Sequence, residues 1–305
     1  NENASAKVLA LSAPTLDGST SGTYTSVTSG TTSSWSTTTA NDLIYVIVSI
    51  DGTNRVSSIT NSGTALTWSR RGEVTDGSKE RVETWYAIAP TAASRTITVT
   101  FASNTTFIII AFGTSGVNIA SPFDANLVSP VTGTGTSSSQ SVTISTLNPN
   151  DFLIGAIAVT RKNDGQDPTV GIGFTSIAST HTGDLGGAGE YKIVTTTQSS
   201  ASVSFSTSKS VSWAMIGDAV QGNLPSVEHN TGFSSPASSG SFTVANGSSA
   251  FLWSPAYPNA TTVFAGSWLL DLWASATSSG TMSALLVAVD SSNAITASAT
   301  SGNTE

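Results

Sequence analysis

The chain has 305 residues, no Cys, and 11 Lys and Arg against 19 Asp and Glu, for a net charge of -8. Charged residues make up only 10 % and hydrophobic ones 38 %, which excludes a charge-driven disordered chain. The five Lys and six Arg are scattered and cannot neutralise a row of phosphates, so nucleic acid and anionic membrane are excluded as partners.

Hydroxyl supplies the polarity: 53 Ser and 46 Thr account for 99 of 305 residues. Both residues compete with helical hydrogen bonds, which predicts an all-β protein with helix below about a tenth. The longest apolar run, Phe107 to Phe112, has six residues, far short of the roughly 20 that span a bilayer as a helix. Low charge and a hydroxyl-rich surface point to an extracellular, cell-surface setting. The chain begins at Asn1 without a Met, as a processed or excised chain does. Without disulfides, stability must come from sheet burial, a metal, a covalent side-chain link or neighbouring subunits.

In chain order, Lys7, Val8, Leu9, Ala10 and Leu11 form an extended apolar segment ahead of a Ser/Thr-rich stretch. Alternating runs bounded by turn residues then predict strands at Leu43 to Ile50, Val82 to Ala89, Thr96 to Phe101 and Thr106 to Phe112. Asp51-Gly52 and Asp76-Gly77 read as hairpin turns. Further strands are predicted at Asp151 to Val159, Tyr191 to Thr195, Ser202 to Phe205 and Val211 to Ile216.

These runs repeat. Asn41-Asp42-Leu43-Ile44 returns 109 residues later as Asn150-Asp151-Phe152-Leu153. Glu83 to Tyr86 answers to Glu190 to Ile193 at 107, and Thr98 to Phe101 and Phe107 to Gly113 answer to Ser202 to Phe205 and Val211 to Gly217 at 104. Half-repeats of about 30–120 and 137–222 each have too few strands to bury both faces, so they are expected to interleave into one pseudo-symmetric antiparallel sandwich within residues 1–225. Two separate small domains are the alternative. Past Leu224-Pro225 the repeat stops, and 226–305 reads as a smaller, incomplete β-sandwich segment whose strand Trp268 to Ala274 is apolar on both faces.

The quoted blocks resemble the Ser/Thr-rich, jelly-roll-like β-sandwich modules of large secreted and cell-surface proteins of bacteria and archaea, over roughly residues 30–222. A looser likeness, in composition and layout, is to subunits of archaeal extracellular filaments that join by donor-strand exchange.

No catalytic constellation stands out. The two imidazoles, His181 and His229, sit in loop-like and linker-like sequence, and Ser is too common for its proximity to mean anything. Glu83 and Glu190 are the one carboxylate pair to nominate for glycoside hydrolysis; alternation places Glu83 on an outward face instead, and the chain reads as no enzyme. Asp164, Asp167 and Asp184 form the best calcium cluster, though Asn163 to Pro168 is also an ordinary turn sequence; no other cofactor is implied. Trp85, Trp213, Trp253, Trp268 and Trp273 read as core, while Trp35 and Trp68, flanked by Ser and Thr, are candidates for a wet face that contacts glycan. Sequons at Asn3, Asn104, Asn246 and Asn259 permit glycosylation and match the number chance supplies.

The expected function is a structural subunit of an extracellular filament or surface assembly, with identical subunits as partners. Residues 7–11 would donate a strand to a neighbour's groove formed by Trp268, Leu270, Leu272, Leu285, Val287 and Val289. The alternative is a carbohydrate-binding or adhesive module of a larger surface or phage-tail protein.

Overall fold

The computed structural model describes residues 13–161 and 166–222, together with the backbone of 285–289 and 295–300. The described residues contain strands and no helix. The first half supplies β1 (Thr15–Thr31), β2 (Trp35–Ser36), β3 (Asp42–Asp51), β4 (Val56–Asn61), β5 (Ser69–Thr75), β6 (Glu80–Ala89), β7 (Ser94–Arg95) and β8 (Ile97–Ser115). The second supplies β9 (Val131–Ile144), β10 (Asp151–Thr160), β11 (Thr169–Val170), β12 (Thr175–Thr182), β13 (Leu185–Val194) and β14 (Ala201–Gln221). Leu11–Leu224 is one compact unit. In the other, β15 (Leu285–Val289) pairs antiparallel with β16 (Ile295–Thr300).

Each half builds one six-stranded antiparallel sheet, and the two sheets have the same topology. The orders are β1-β8-β3-β6-β5 with β4 on β8, and β9-β14-β10-β13-β12 with β11 on β14. Contacts between the sheets come in exchanged pairs: β1 touches β12 and β9 touches β5; β8 touches β13 and β14 touches β6; β3 touches β13 and β10 touches β6. An approximate two-fold relation between the halves produces this pattern. The duplicated sandwich is therefore present, but the halves do not interleave, since each sheet is made wholly from one half. The sequence register shifts accordingly. Ile50 lies opposite Phe107 and its counterpart Val159 opposite Trp213, so the second β8-type block is offset by 106 rather than 104.

Alternation along the central strands fills three cores. Leu43, Tyr45, Ile47, Ile108, Ile110 and Phe112 meet Phe152, Ile154, Ala156, Ala158, Ala214 and Ile216 between the sheets. The sheets approach closely at β13, where a Cβ on Gly187 would stand 2.8 Å from Ser49 Oγ and one on Gly189 2.9 Å from Ile47 Cδ1. The opposite faces form separate outer cores, one around Ile44, Val46, Val48 and Ile50, the other around Leu153, Ile157 and Val159.

A sharp bend in the long strands covers these outer cores. Phe101 and Phe107 are six residues apart on β8, yet their ring centroids are 4.6 Å apart, where a straight strand would separate them by about 20 Å. The partner β1 bends at the same level: its register shifts between Tyr24 and Ser29, Ser26 has φ 53°, and Tyr24 packs over Gly30. Thus Thr96 to Phe101 and Thr106 to Phe112, expected as two strands, are one folded strand, and Ser202 to Phe205 with Val211 to Ile216 are likewise both part of β14. Each half buries one face under its own curled end and the other against its twin. Asp51-Gly52 is not a hairpin, because β3 and β4 both pair with β8 in succession; Asp76-Gly77 does join the paired strands β5 and β6.

Hydroxyl-rich edges complete the sheets. β1 and β9 escape the apolar pattern because only one of their sides is paired, and Ser/Thr pairs such as Thr31–Thr98 at 2.8 Å and Thr15–Ser115 at 2.9 Å tie β1 to β8.

Candidate functional site

The polar groups inside Leu11–Leu224 gather at a few repeated places. Asp42 and Asp151 open the central strands β3 and β10, and both are fully buried. The Asp42 carboxyl meets no N–H or hydroxyl donor among the described residues, and the Asp151 carboxyl has the Thr146 hydroxyl beside it. The hydrogen-bonding neighbour of Asp42 is the carboxyl of Asp17, and that of Asp151 is the carboxyl of Asp124.

These second aspartates hold the loops that lead into the strands. Asp17 accepts the backbone N–H of Thr38 at 2.8 Å and of Thr39 at 2.9 Å, and both Thr hydroxyls. Asp124 accepts the N–H of Leu147 at 3.0 Å and of Asn148 at 2.9 Å. In each half the gripped residues lie three and four positions before the buried aspartate. Burial, then the bond to and charge of Asp17, push the Asp42 carboxyl up to about 7; burial, then the charge of Asp124, push Asp151 up to about 8. Burial also acts upward on Asp17, but the hydrogen bonds from Thr39 and Thr38 outweigh it and hold that group at about 2. In each pair the strand-opening carboxyl is the one pushed up, and the other aspartate holds the loop.

A third pair follows the same logic. Glu80 is buried, takes the Thr160 hydroxyl across the sheet interface, and is pushed up to about 8 by burial and by Asp76. Asp76 itself caps the turn by accepting the N–H groups of Ser78, Lys79 and Glu80.

Among the described residues, one ion pair clasps the halves. Arg71 of β5 donates Nε and Nη2 to the two oxygens of Asp218 on β14, both at 2.9 Å, and the Tyr45 hydroxyl donates to the same carboxylate at 3.0 Å. Arg71 also donates to the carbonyls of Leu127 and Val128 and lies 3.8 Å over the Phe123 ring.

Glu83 and Glu190 face inward to the outer cores rather than outward, and both are fully buried. Glu83 accepts Val56 N–H at 3.2 Å and Trp85 Nε1 at 3.2 Å; Glu190 accepts Gly171 N–H at 2.7 Å and Ser204 N–H at 3.3 Å. Burial raises both, Glu190 to about 7. They lie on opposite outer faces of the sandwich and do not converge as a glycosidase pair.

The remaining expected site residues separate as follows. Trp35 is buried at 7 % exposure, because the short β2–β7 ladder pairs it with Arg95 and turns the indole into the first outer core; it offers no wet face. Trp68 is half-buried at the rim of that core, its Nε1 bonded to Asn61 Oδ1 at 3.3 Å. Asp167 pairs with Arg161 at 2.9 Å and with His181 at 3.0 Å, and Asp184 is exposed. With Arg161 and His181 on Asp167, no group of three His, Cys, Asp or Glu among the described residues is placed to hold a metal; Asp164 lies outside them. Asn104 is exposed at the β8 bend, while Asn3, Asn246 and Asn259 lie outside the described residues. So do Lys7, Val8, Leu9, Ala10, Leu11, Trp268, Leu270 and Leu272; Leu285, Val287 and Val289 are described as backbone of β15.

Asp17, Asp124 and Asp218 were not legible as partners, since their contacts span loops or the inter-sheet core. Among the described residues no helix is long and apolar enough to cross a membrane. No known protein family, curated protein or solved structure matches the chain.

Proposed function

We propose that the chain is a structural subunit of an extracellular filament or surface assembly, joined head to tail by donor-strand complementation. The supporting observation is the use of the buried polar groups: the three carboxyl pairs and the Arg71–Asp218 clasp are spent on holding loops, a turn and the junction of two equal sheets. Such an interior suits a rigid, load-bearing module. The acceptor segment Leu285 to Val289 forms a strand that pairs with Ile295 to Thr300. A donor such as residues 7–11 would extend such a sheet through main-chain hydrogen bonds, and head-to-tail insertion does not close into a ring.

Electron microscopy and sedimentation of the full chain and of a chain lacking residues 1–11 test this reading. Fibres from the full chain and folded monomers from the truncated one are expected. Assembly that survives the deletion, or a full chain that stays monomeric at high concentration, overturns it.

A further inference from the structure

The first half carries a cluster of three arginines that its twin lacks. Glu73 on β5 binds three guanidiniums: Arg55 at 3.0 Å, Arg70 at 3.0 Å and Arg81 at 2.8 Å. Half of the chain's six arginines thus converge on one spot of a protein with net charge -8. They outnumber the two carboxylates there, Glu73 and the buried Glu83, which lies 3.7 Å from Arg81.

The fold does not require these charges. On the same face of the equivalent strand, Arg81, Glu83 and Trp85 are replaced by Gly186, Ala188 and Glu190, as the pairing with β3 and with β10 shows. The second sheet forms the same topology without the cluster. Burying the Arg81 and Glu83 charges costs desolvation that an apolar pair would avoid, so a use beyond folding accounts for their presence.

Aromatic surface adjoins the charge. Trp85 is the cross-strand partner of Arg70, and Trp85 and Trp68 are both half-buried at the rim of the first outer core. The side chains of Arg55 and Arg70 are 58 % and 40 % exposed, and each guanidinium has five donors, of which the ion pair to Glu73 uses few.

We propose that this patch binds a carboxylated, uronic-acid-containing glycan. The sugar ring packs on the half-exposed indoles of Trp85 and Trp68, and its carboxylate takes the outer donors of Arg55 and Arg70 in the fork geometry that guanidinium offers to carboxylate. Glu73 fixes the arginines in place by binding all three. A neutral glycan would gain the stacking and miss the charged bonds.

Titration of the full chain with an oligogalacturonate, followed by tryptophan fluorescence and calorimetry, tests the proposal. Maltohexaose, a heparin hexasaccharide and inorganic sulfate serve as competing probes. Saturable binding of the oligogalacturonate is expected, at least about tenfold tighter than maltohexaose and weakened by salt, since one charge-assisted bond contributes about that factor. Arg55→Ala with Arg70→Ala should reduce it by about tenfold or more while leaving the melting temperature close to the parent's, because both side chains are largely outside the core. Arg55→Ala alone, at the most exposed position, carries the same test if the double variant is destabilised. Equal binding of maltohexaose, binding of heparin and sulfate that matches the uronate, or an unchanged affinity in the folded variants overturns the assignment. Loss of assembly on removal of residues 1–11 leaves this patch intact, so the two proposals fail separately.

Discussion

Asp42 and Asp151 occupy the same place in the two halves, each the first residue of a central strand, fully buried, and set against a second aspartate that grips the loop just before it. Conserving this device through a duplication ties the stability of both sheets to protons.

The consequence is a fold that prefers acid. Asp42, Asp151, Glu80 and Glu190 are raised to between about 7 and about 8, so the folded state binds more protons than the unfolded chain above the ordinary carboxylate range. Their contribution is whole below about pH 4 and is lost as pH rises toward the folded values of 7 to 8. Asp17 and Asp76, lowered to about 2, act oppositely, and their contribution disappears as pH falls toward 2. Chemical denaturation between pH 3 and 9 should therefore show maximal stability near about pH 4 and a decline toward pH 8. A stability that climbs from pH 4 to 8 contradicts the paired-carboxyl reading.

Replacing one acid by its amide separates the proton from the shape. Asp151→Asn puts a permanent donor beside Asp124 and should flatten the loss of stability between pH 6 and 8, leaving the variant at least as stable as the parent at pH 8. Denaturant melts of both proteins at pH 4 and pH 8 read this directly. A variant destabilised equally at both pH values shows that the proton is not what matters.

The clasp between halves gives a different signature. Asp218→Ala leaves the Arg71 guanidinium beside a vacated site at the sheet junction, and a loss of about 3–5 kcal/mol is expected. The triple change Arg71→Met, Asp218→Leu, Tyr45→Phe removes every charged member together and should recover most of it. Urea denaturation measures both, and an Asp218→Ala loss below about 1 kcal/mol would show the pair to be dispensable.

Two further substitutions probe packing. Gly187→Val would drive its Cβ to within 3 Å of Ser49 and force the sheets apart, with a cost of about 1–3 kcal/mol or more. Trp35→Ala should cost about 3–5 kcal/mol through a cavity in the first outer core. Thermal melts report both, and a Trp35→Ala protein with unchanged stability would mean that the indole is outside the core.

The repeat and the β class could be read from residues alone, because Ser/Thr composition disfavours helix and because Asp42 to Ile50 and Asp151 to Val159 are near-continuous apolar runs, buried on both faces. The edge strands β1 and β9 could not, since one-sided pairing and hydroxyl cross-links leave no apolar period to find. Which strands share a sheet was decided in three dimensions: the bend that brings Phe101 onto Phe107 lets each half cover one of its own faces, so exchange of strands between halves is unnecessary. The same distances decided the chemistry. Asp17 lies 25 residues before Asp42 and Arg71 lies 147 before Asp218, and only the closed sheets bring a proton or a guanidinium between groups so far apart along the chain.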